Sequence, residues 1–172
     1  YGLVGSGRTE LMQSLFGVTK IATGKISVDD NIVSIKSPKD AVHSGIVYVP
    51  EERQSQGVVL EFPIFQNITL PKLSEINKNG LLNEKSEYDL ADLYAKKLRV
   101  KAPNWHEKVE NLSGGNQQKL VIAREVEKNP DVLLIGQPTR GVDIGAIEFI
   151  HKQVIAMRDA GKAVLLVSVE LD

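Results

Sequence analysis

Residues 111–143 read NLSGGNQQKLVIAREVEKNPDVLLIGQPTRGVD. Ser113 is a natural N-cap residue, and two glycines follow it at the start of a polar-faced helix. Bare backbone N–H groups there, together with the helix dipole, form an anion site. Further on, Val132–Ile135 is a short apolar run of the kind that forms a buried strand. In an open α/β sheet the chemistry lies just past the carboxyl ends of such strands. This strand delivers Gly136 and Gln137 to that place, a glycine and an amide with no ionisable group. Either the strand is purely structural, or it is a catalytic strand that has lost its acids.

Working outward, GAIEFIHKQVIAMRDAG (145–161) has helical spacing and KAVLLVSV (162–169) reads as another strand. Strand, helix and strand at this spacing imply parallel pairing through a right-handed crossover. Toward the amino end, LMQSLFG (11–17) predicts a helix closing on Gly17. KISVDDNIVSI (25–35) predicts a hairpin turning at Asp29-Asp30-Asn31. SPKDAVHSG (37–45) predicts a short helix with Ser37 as N-cap, Pro38 in the first turn and Gly45 past the end. GIVYVP (45–50) is a buried strand stopped by Pro50, and EERQSQG (51–57) a polar loop. ITLPKLSEI, EKSEYDLADLYAKKLRV and GGNQQKLVIAREVEKN make 62–128 mostly helical. The fold class is therefore α/β: a parallel-sheet core over 1–61 and 129–172, interrupted by a helical insert over 62–128.

Composition excludes several classes of function. Apolar residues are 42% and charged residues 25% of 172, ordinary for a globular chain with a core of its own. A net charge of −1 gives no global field that would recruit nucleic acid or an anionic membrane. The absence of cysteine rules out disulfides and thiol catalysis within the chain. His43, His106 and His151 are scattered without metal-ligand spacing and read as surface or loop residues. No apolar run approaches the roughly 20 residues of a membrane span.

GLVGSGRT (2–9) fits the phosphate-loop pattern G-x-x-x-x-G-K-[ST] at every defined position except the lysine, which is Arg8. Glycines in such a loop let N–H groups converge on phosphate oxygens, and the next helix adds its positive end. Thr9 offers a hydroxyl to Mg²⁺. Arg8 keeps the charge, but a planar fork does not have the shape of an ammonium. A strand is expected ahead of this loop.

Taken in order, the phosphate loop, LSGGNQQK, NPDVLLI and PTRGVD resemble the ATP-binding cassettes of ABC ATPases, P-loop enzymes that use ATP and Mg²⁺. GLVGSGRTEL, IVYVPEERQSQGVVL and LSGGNQQK resemble the C-terminal cassette of double-cassette ATPases that energise importers of simple sugars (ribose or galactose type) and nucleosides. GQPTRGVDIGAIEFIH is slightly more similar to the nucleoside branch. The resemblance implies nucleotide binding by Gly2, Gly5, Ser6, Gly7, Arg8, Thr9 and Glu10. It implies a signature motif of Leu112, Ser113, Gly114, Gly115, Asn116 and Gln117, a D-loop Asp143, and Glu51 in place of the usual Q-loop glutamine. Thr9 and, weakly, Glu51 would meet Mg²⁺. It implies as partners an N-terminal cassette of the same polypeptide, transmembrane permease subunits and, indirectly, a periplasmic or surface solute-binding protein. Nucleic acid is not expected. The location implied is peripheral, on the cytoplasmic face of the cell membrane.

Three further positions depart from the family pattern. Gly136 replaces the usual aspartate that serves the metal, Gln137 the catalytic glutamate and Val169 the switch histidine. The losses surround one phosphate and suggest one abandoned function. The signature, in contrast, is complete and would close on ATP held by the other cassette. A non-catalytic nucleotide-binding regulatory module is the alternative. A DNA-repair or chromosome-maintenance ATPase would need long heptad arms, which the 62–128 insert lacks.

Overall fold

The computed structural model describes residues 5–78, 81–97 and 100–169. They form two compact units. Unit 1 comprises 1–51, 125–140 and 151–172, and unit 2 comprises 52–124 and 141–150. The helical unit thus takes in 141–150 in addition to the central segment.

Unit 1 is built on a three-stranded sheet of β3 (Ile46–Val49), β6 (Val132–Gly136) and β7 (Ala163–Val167), with β6 in the middle and both pairings parallel. These are the three strands expected from sequence. Val49 pairs with Ile135, and Gly136 with Val167. All four residues of β3 are buried, as parallel strands covered on both faces require. Helix α1 (Arg8–Leu15) leads out of the phosphate loop and buries Met12 completely. Met12 packs with Ala41, Ile46, Tyr48 and Leu134.

The hairpin of β1 (Ile26–Val28) and β2 (Asn31–Val33) turns at Asp29 and Asp30, both with positive φ (48° and 63°). A two-residue turn of this hand matches strand twist, and aspartate tolerates the conformation better than most residues. Helix α2 (Pro38–His43) is capped by Ser37, whose Oγ accepts from the Asp40 N–H and donates to Asp40 Oδ2. The hydrogen bond from Ser37, then the one from the Lys36 N–H, holds the Asp40 carboxyl below its ordinary pKa.

In unit 2, α3 (Ile64–Thr69) packs on α5 (Glu84–Lys97). The two are joined through a 3₁₀ turn, α4 (Leu73–Ile76) and the two-residue strands β4 (Asn77–Lys78) and β5 (Leu81–Leu82). That small antiparallel pair has no periodicity to announce it in the sequence. Asn67 is fully buried; its side chain accepts from the Val59 N–H and donates to the Val59 carbonyl, both at 2.9 Å. The Thr69 hydroxyl donates to the buried Glu87 carboxylate at 2.6 Å. Helix α6 (Gly114–Val126) follows. Helix α7 (Ile144–Asp159) is capped by Asp143, whose Oδ1 accepts from the Ala146 N–H at 2.9 Å.

The expected polar loop at 51–57 is partly ordered as a single π-turn, Arg53–Gly57. Its stabilising contacts are distant in sequence. Gln54 donates to the Gln117 side chain at 3.3 Å, and Arg124 donates to the Gly57 carbonyl at 2.7 Å. A methyl group on Gly57 would stand 3.0 Å from Val121. The turn is shaped against α6, and nothing local in EERQSQG reveals that.

Two glycines with nearly equal dihedrals separate conformational from steric constraint. Gly17 (φ 77°) and Gly161 (φ 80°) are both left-handed. A Cβ at Gly161 meets nothing within 4 Å, whereas one at Gly17 would lie 2.7 Å from the Ser37 carbonyl carbon. Gly161→Ala is expected to cost about 1–2 kcal/mol, the backbone strain alone. Gly17→Ala should cost clearly more. Urea denaturation of the two variants checks this, and equal losses would contradict it.

Candidate functional site

The phosphate loop passes through Gly5 (φ 83°) and Gly7 (φ 79°) into α1, where the Leu11 N–H meets the Gly7 carbonyl at 2.9 Å. A Cβ at either glycine would meet no atom within 4 Å. Their absence of side chains therefore serves the left-handed turn and leaves the loop backbone open to a ligand. Glu10 lies in the first turn of α1, where the helix dipole favours an acid. Ser6 lies between Gly5 and Gly7, ahead of α1; Gly2 falls outside the described residues.

A cleft of about 350 Å³ opens over this loop. Gly5, Gly7, Arg8, Thr9 and Glu10 line one side, with Glu51, Gln137, Arg140, Val167 and Val169 completing it. The strand register explains the gathering. Val49, Gly136 and Val167 end neighbouring strands within one residue of the same level, so the residues just beyond them meet at one rim.

Glu51 is the centre of the polar contacts. Its Oε2 accepts from the Thr9 hydroxyl at 3.2 Å, and its Oε1 accepts from Arg140 Nη1 at 3.0 Å. The Arg140 side chain is 61% exposed, so the ion pair is screened and of modest strength. Tyr48 lies below with its hydroxyl buried; burial first, and then the charge of Glu51, pushes its pKa above the ordinary phenol value.

The two positions at the end of β6 are built in an unusual way. Gly136 is buried, and a Cβ on it would stand 3.0 Å from the Met12 methyl carbon and 3.4 Å from the Glu51 nitrogen. A side chain at 136 would press on the Met12 methyl, which would have to give by a few tenths of an ångström. Gln137 is buried with φ 45°. Its N–H donates to the Val167 carbonyl at 2.7 Å, and its Oε1 accepts from the Val169 N–H at 3.0 Å. The amide acts as a clasp between the ends of β6 and β7. Val169 contributes this backbone contact and a half-exposed apolar side chain.

The signature residues lie in unit 2. Leu112 is buried beside the exposed Ser113, whose Oγ accepts from the Asn116 side chain at 3.1 Å. Gln117 is buried and donates to the Val109 carbonyl at 3.1 Å. Gly115 is buried against the cap of α7: a Cβ there would lie 2.5 Å from Asp143 Oδ2 and 3.0 Å from the Ala146 Cβ. The structure brings the expected residues Gly5, Gly7, Arg8, Thr9, Glu10, Glu51, Gln137 and Val169 to one cleft, and sequence reading did not single out Met12 or Arg140 beside them. Arg140 stood inside the motif PTRGVD, but its partner lies 89 positions away.

Comparison with known proteins accords with this geometry. The family described as ABC transporter matches residues 1–140. The chain is 48% identical over 171 residues to the ribose import ATP-binding protein RbsA of Roseobacter denitrificans, covering 99% of the chain and 34% of that protein. It is 42% identical to the RbsA of Bacillus licheniformis, with 99% and 34% covered. The chain therefore spans about a third of the length of these curated relatives. Among solved structures, a dimeric ATP-binding cassette in a post-hydrolysis state bound to ADP and Pi superposes with a TM-score of 0.77 at 22% identity, covering 99% of this chain and 73% of that one. A nucleotide-free cassette from an ABC transporter gives 0.79 at 23%, covering 99% and 69%. At such identities the likeness concerns the fold, an α/β P-loop cassette. From the family match and the fold together, this chain belongs to the ABC transporter family of ATP-binding cassettes.

Proposed function

We propose that this chain is the second cassette of a double-cassette ATPase that energises import of a simple sugar, and that its own nucleotide site does not turn over. The observation that carries the second part is the end of β6. The Met12 methyl lies against Gly136, and Gln137 gives its acceptor oxygen to the Val169 N–H. A general base at that position is typically worth about 10²–10⁴ in rate, and an amide cannot take the proton. The sugar reading is supported by the two ribose import relatives. An N-terminal cassette on the same polypeptide is consistent with the third of their length that the chain spans.

The residues of the cleft fit a nucleotide's phosphates. Open glycines and the amino end of α1 offer N–H donors, and Arg8 supplies positive charge. Thr9 and Glu51 would hold Mg²⁺, an ion that takes oxygen ligands and commonly one carboxylate. When bound, Mg²⁺ would neutralise phosphate charge. Thr9 and Glu51 already lie in hydrogen-bond contact, and Arg140 holds the carboxylate from its other oxygen. Without an acid at 136, the site retains nucleotide more readily than it hydrolyses it.

In this reading the signature serves the partner cassette. Ser113 and the first N–H groups of α6 meet the nucleotide bound to the N-terminal cassette, while permease subunits transmit the motion and a solute-binding protein delivers the sugar. The protein is peripheral at the cytoplasmic face of the membrane through its permease.

Two outcomes test this in the full-length protein with its permease. Ser113→Ala should lower steady-state ATPase about 10²-fold, the scale of losing one preorganised donor. Arg8→Ala should lower it less than about threefold, since it weakens a site that does not turn over. Ser113 is the better probe because any side chain at Gly115 also strikes Asp143 and Ala146. A reversed order would place turnover on this chain's own loop.

Restoring the acid at 136 is expected to require a second change. Gly136→Asp alone crowds Met12 and should destabilise the fold by about 1–3 kcal/mol, as overpacking does. Combining it with Met12→Ala should make room for the carboxylate and tighten Mg²⁺-dependent nucleotide binding more than it raises turnover, because Gln137 and Val169 remain. Calorimetric titration with ADP, with and without Mg²⁺, reads the binding. Equal metal dependence in the double variant and wild type would contradict the packing argument.

A further inference from the structure

We propose that Arg140 is a positioning residue of the nucleotide cleft: it holds the Glu51 carboxylate and offsets its charge, so that phosphates can enter beside an acid. This rests on the reading that the cleft takes a nucleotide's phosphates. An acid in such a place poses a problem, because a like charge close by opposes an incoming anion. Among the described residues, two acids line the cleft, Glu10 and Glu51. Glu10 stands in the first turn of α1, where the helix dipole offsets its charge. Glu51 lies two residues past the end of β3, outside any helix. Its side chain is only 26% exposed, so water screens its charge in part.

The compensation comes from Arg140. Its Nη1 donates to Glu51 Oε1 at 3.0 Å, while the Thr9 hydroxyl donates to Oε2 at 3.2 Å. Each carboxylate oxygen thus has a donor, but only the Arg140 donor brings a charge. Arg140 reaches the acid from an anchored place. Its backbone N–H donates to the Gln137 carbonyl at 3.2 Å, in the turn that leaves β6, and its side chain lines the same cleft. An ion pair whose cation is this exposed contributes little to the fold. Its effect appears when phosphates arrive and the Glu51 charge would otherwise oppose them. Mg²⁺ bound at Thr9 and Glu51 would offset the same carboxylate. Loss of Arg140 should therefore make nucleotide binding lean more heavily on the metal.

The test uses the full-length protein with its permease and a photoreactive azido-ADP. Labelled peptides of this chain are identified by mass spectrometry after proteolysis, and competition with ADP gives an apparent affinity. Arg140→Ala, Glu51→Gln, the double variant and Arg8→Ala are compared with wild type, in low and high salt, with and without Mg²⁺. Labelling that Arg8→Ala weakens belongs to this chain's own loop. In low salt without Mg²⁺, Arg140→Ala should weaken ADP binding there about fivefold, the upper range for an exposed pair. In the Glu51→Gln background the same change should cost less than about twofold, because no charge is left to offset. The fivefold loss should shrink in high salt and on adding Mg²⁺. Equal effects of Arg140→Ala in the two backgrounds, including none in either, would overturn the proposal; with Arg8→Ala impaired, the cleft reading would survive. If Arg8→Ala weakens no labelling, the cleft reading fails and takes the proposal with it.

Discussion

β6 is hydrogen-bonded in parallel on both edges, to β3 and to β7. A strand so placed is covered above and below, so its side chains must be apolar and its chemistry can emerge only at the carboxyl end. The register then does the rest. Because Val49 pairs with Ile135 and Gly136 with Val167, the chain leaves three neighbouring strands within one residue of the same level. Glu51, Gln137 and Val169 come together there although 118 positions separate the first from the last, by their residue numbers. The rim of the cleft is a consequence of pairing, and side-chain identity decides only what the rim can do.

At that rim Gly136 lies against Met12, and Gln137 is bonded to Val169. An aspartate at 136 would be a charge beside the Met12 methyl, which costs free energy unless metal or hydrogen-bond donors satisfy it. Glycine removes the charge, and the adaptable Met12 side chain lies against it. The amide of Gln137, meanwhile, has work inside the fold, accepting the Val169 N–H. A glutamate could make the same contact, but a backbone N–H donated to a carboxylate favours its charged form and weakens it as a base.

What sequence disclosed follows the range of the interaction concerned. The Asp29-Asp30 turn, the Ser37 cap and the three core strands rest on contacts within a few residues or on a repeating apolar pattern, and the structure has them where local chemistry puts them. The phosphate loop was legible because glycines at fixed spacing announce a turn. Glu51 and Gln137 were placed by resemblance, but their partners were not. Thr9 lies 42 positions from Glu51, and Arg140 lies 89. The π-turn at Arg53–Gly57 escaped for the same reason, since its fixing contacts come from α6. The small pair β4–β5 escaped because two-residue strands carry no period.

The two glycines of the signature show how one feature can satisfy two demands. Bare N–H groups at a helix start suit an anion, and that was reason enough to read them as a binding motif. The structure adds a second reason, independent of any ligand. Gly114 makes room for the Arg53 guanidinium, and Gly115 for the Asp143 carboxylate that caps α7. A cation and an anion thus flank the first turn of α6, each admitted by the absence of one Cβ. The acid is occupied within the fold by an N–H of α7, and the exposed Ser113 precedes the same helix end.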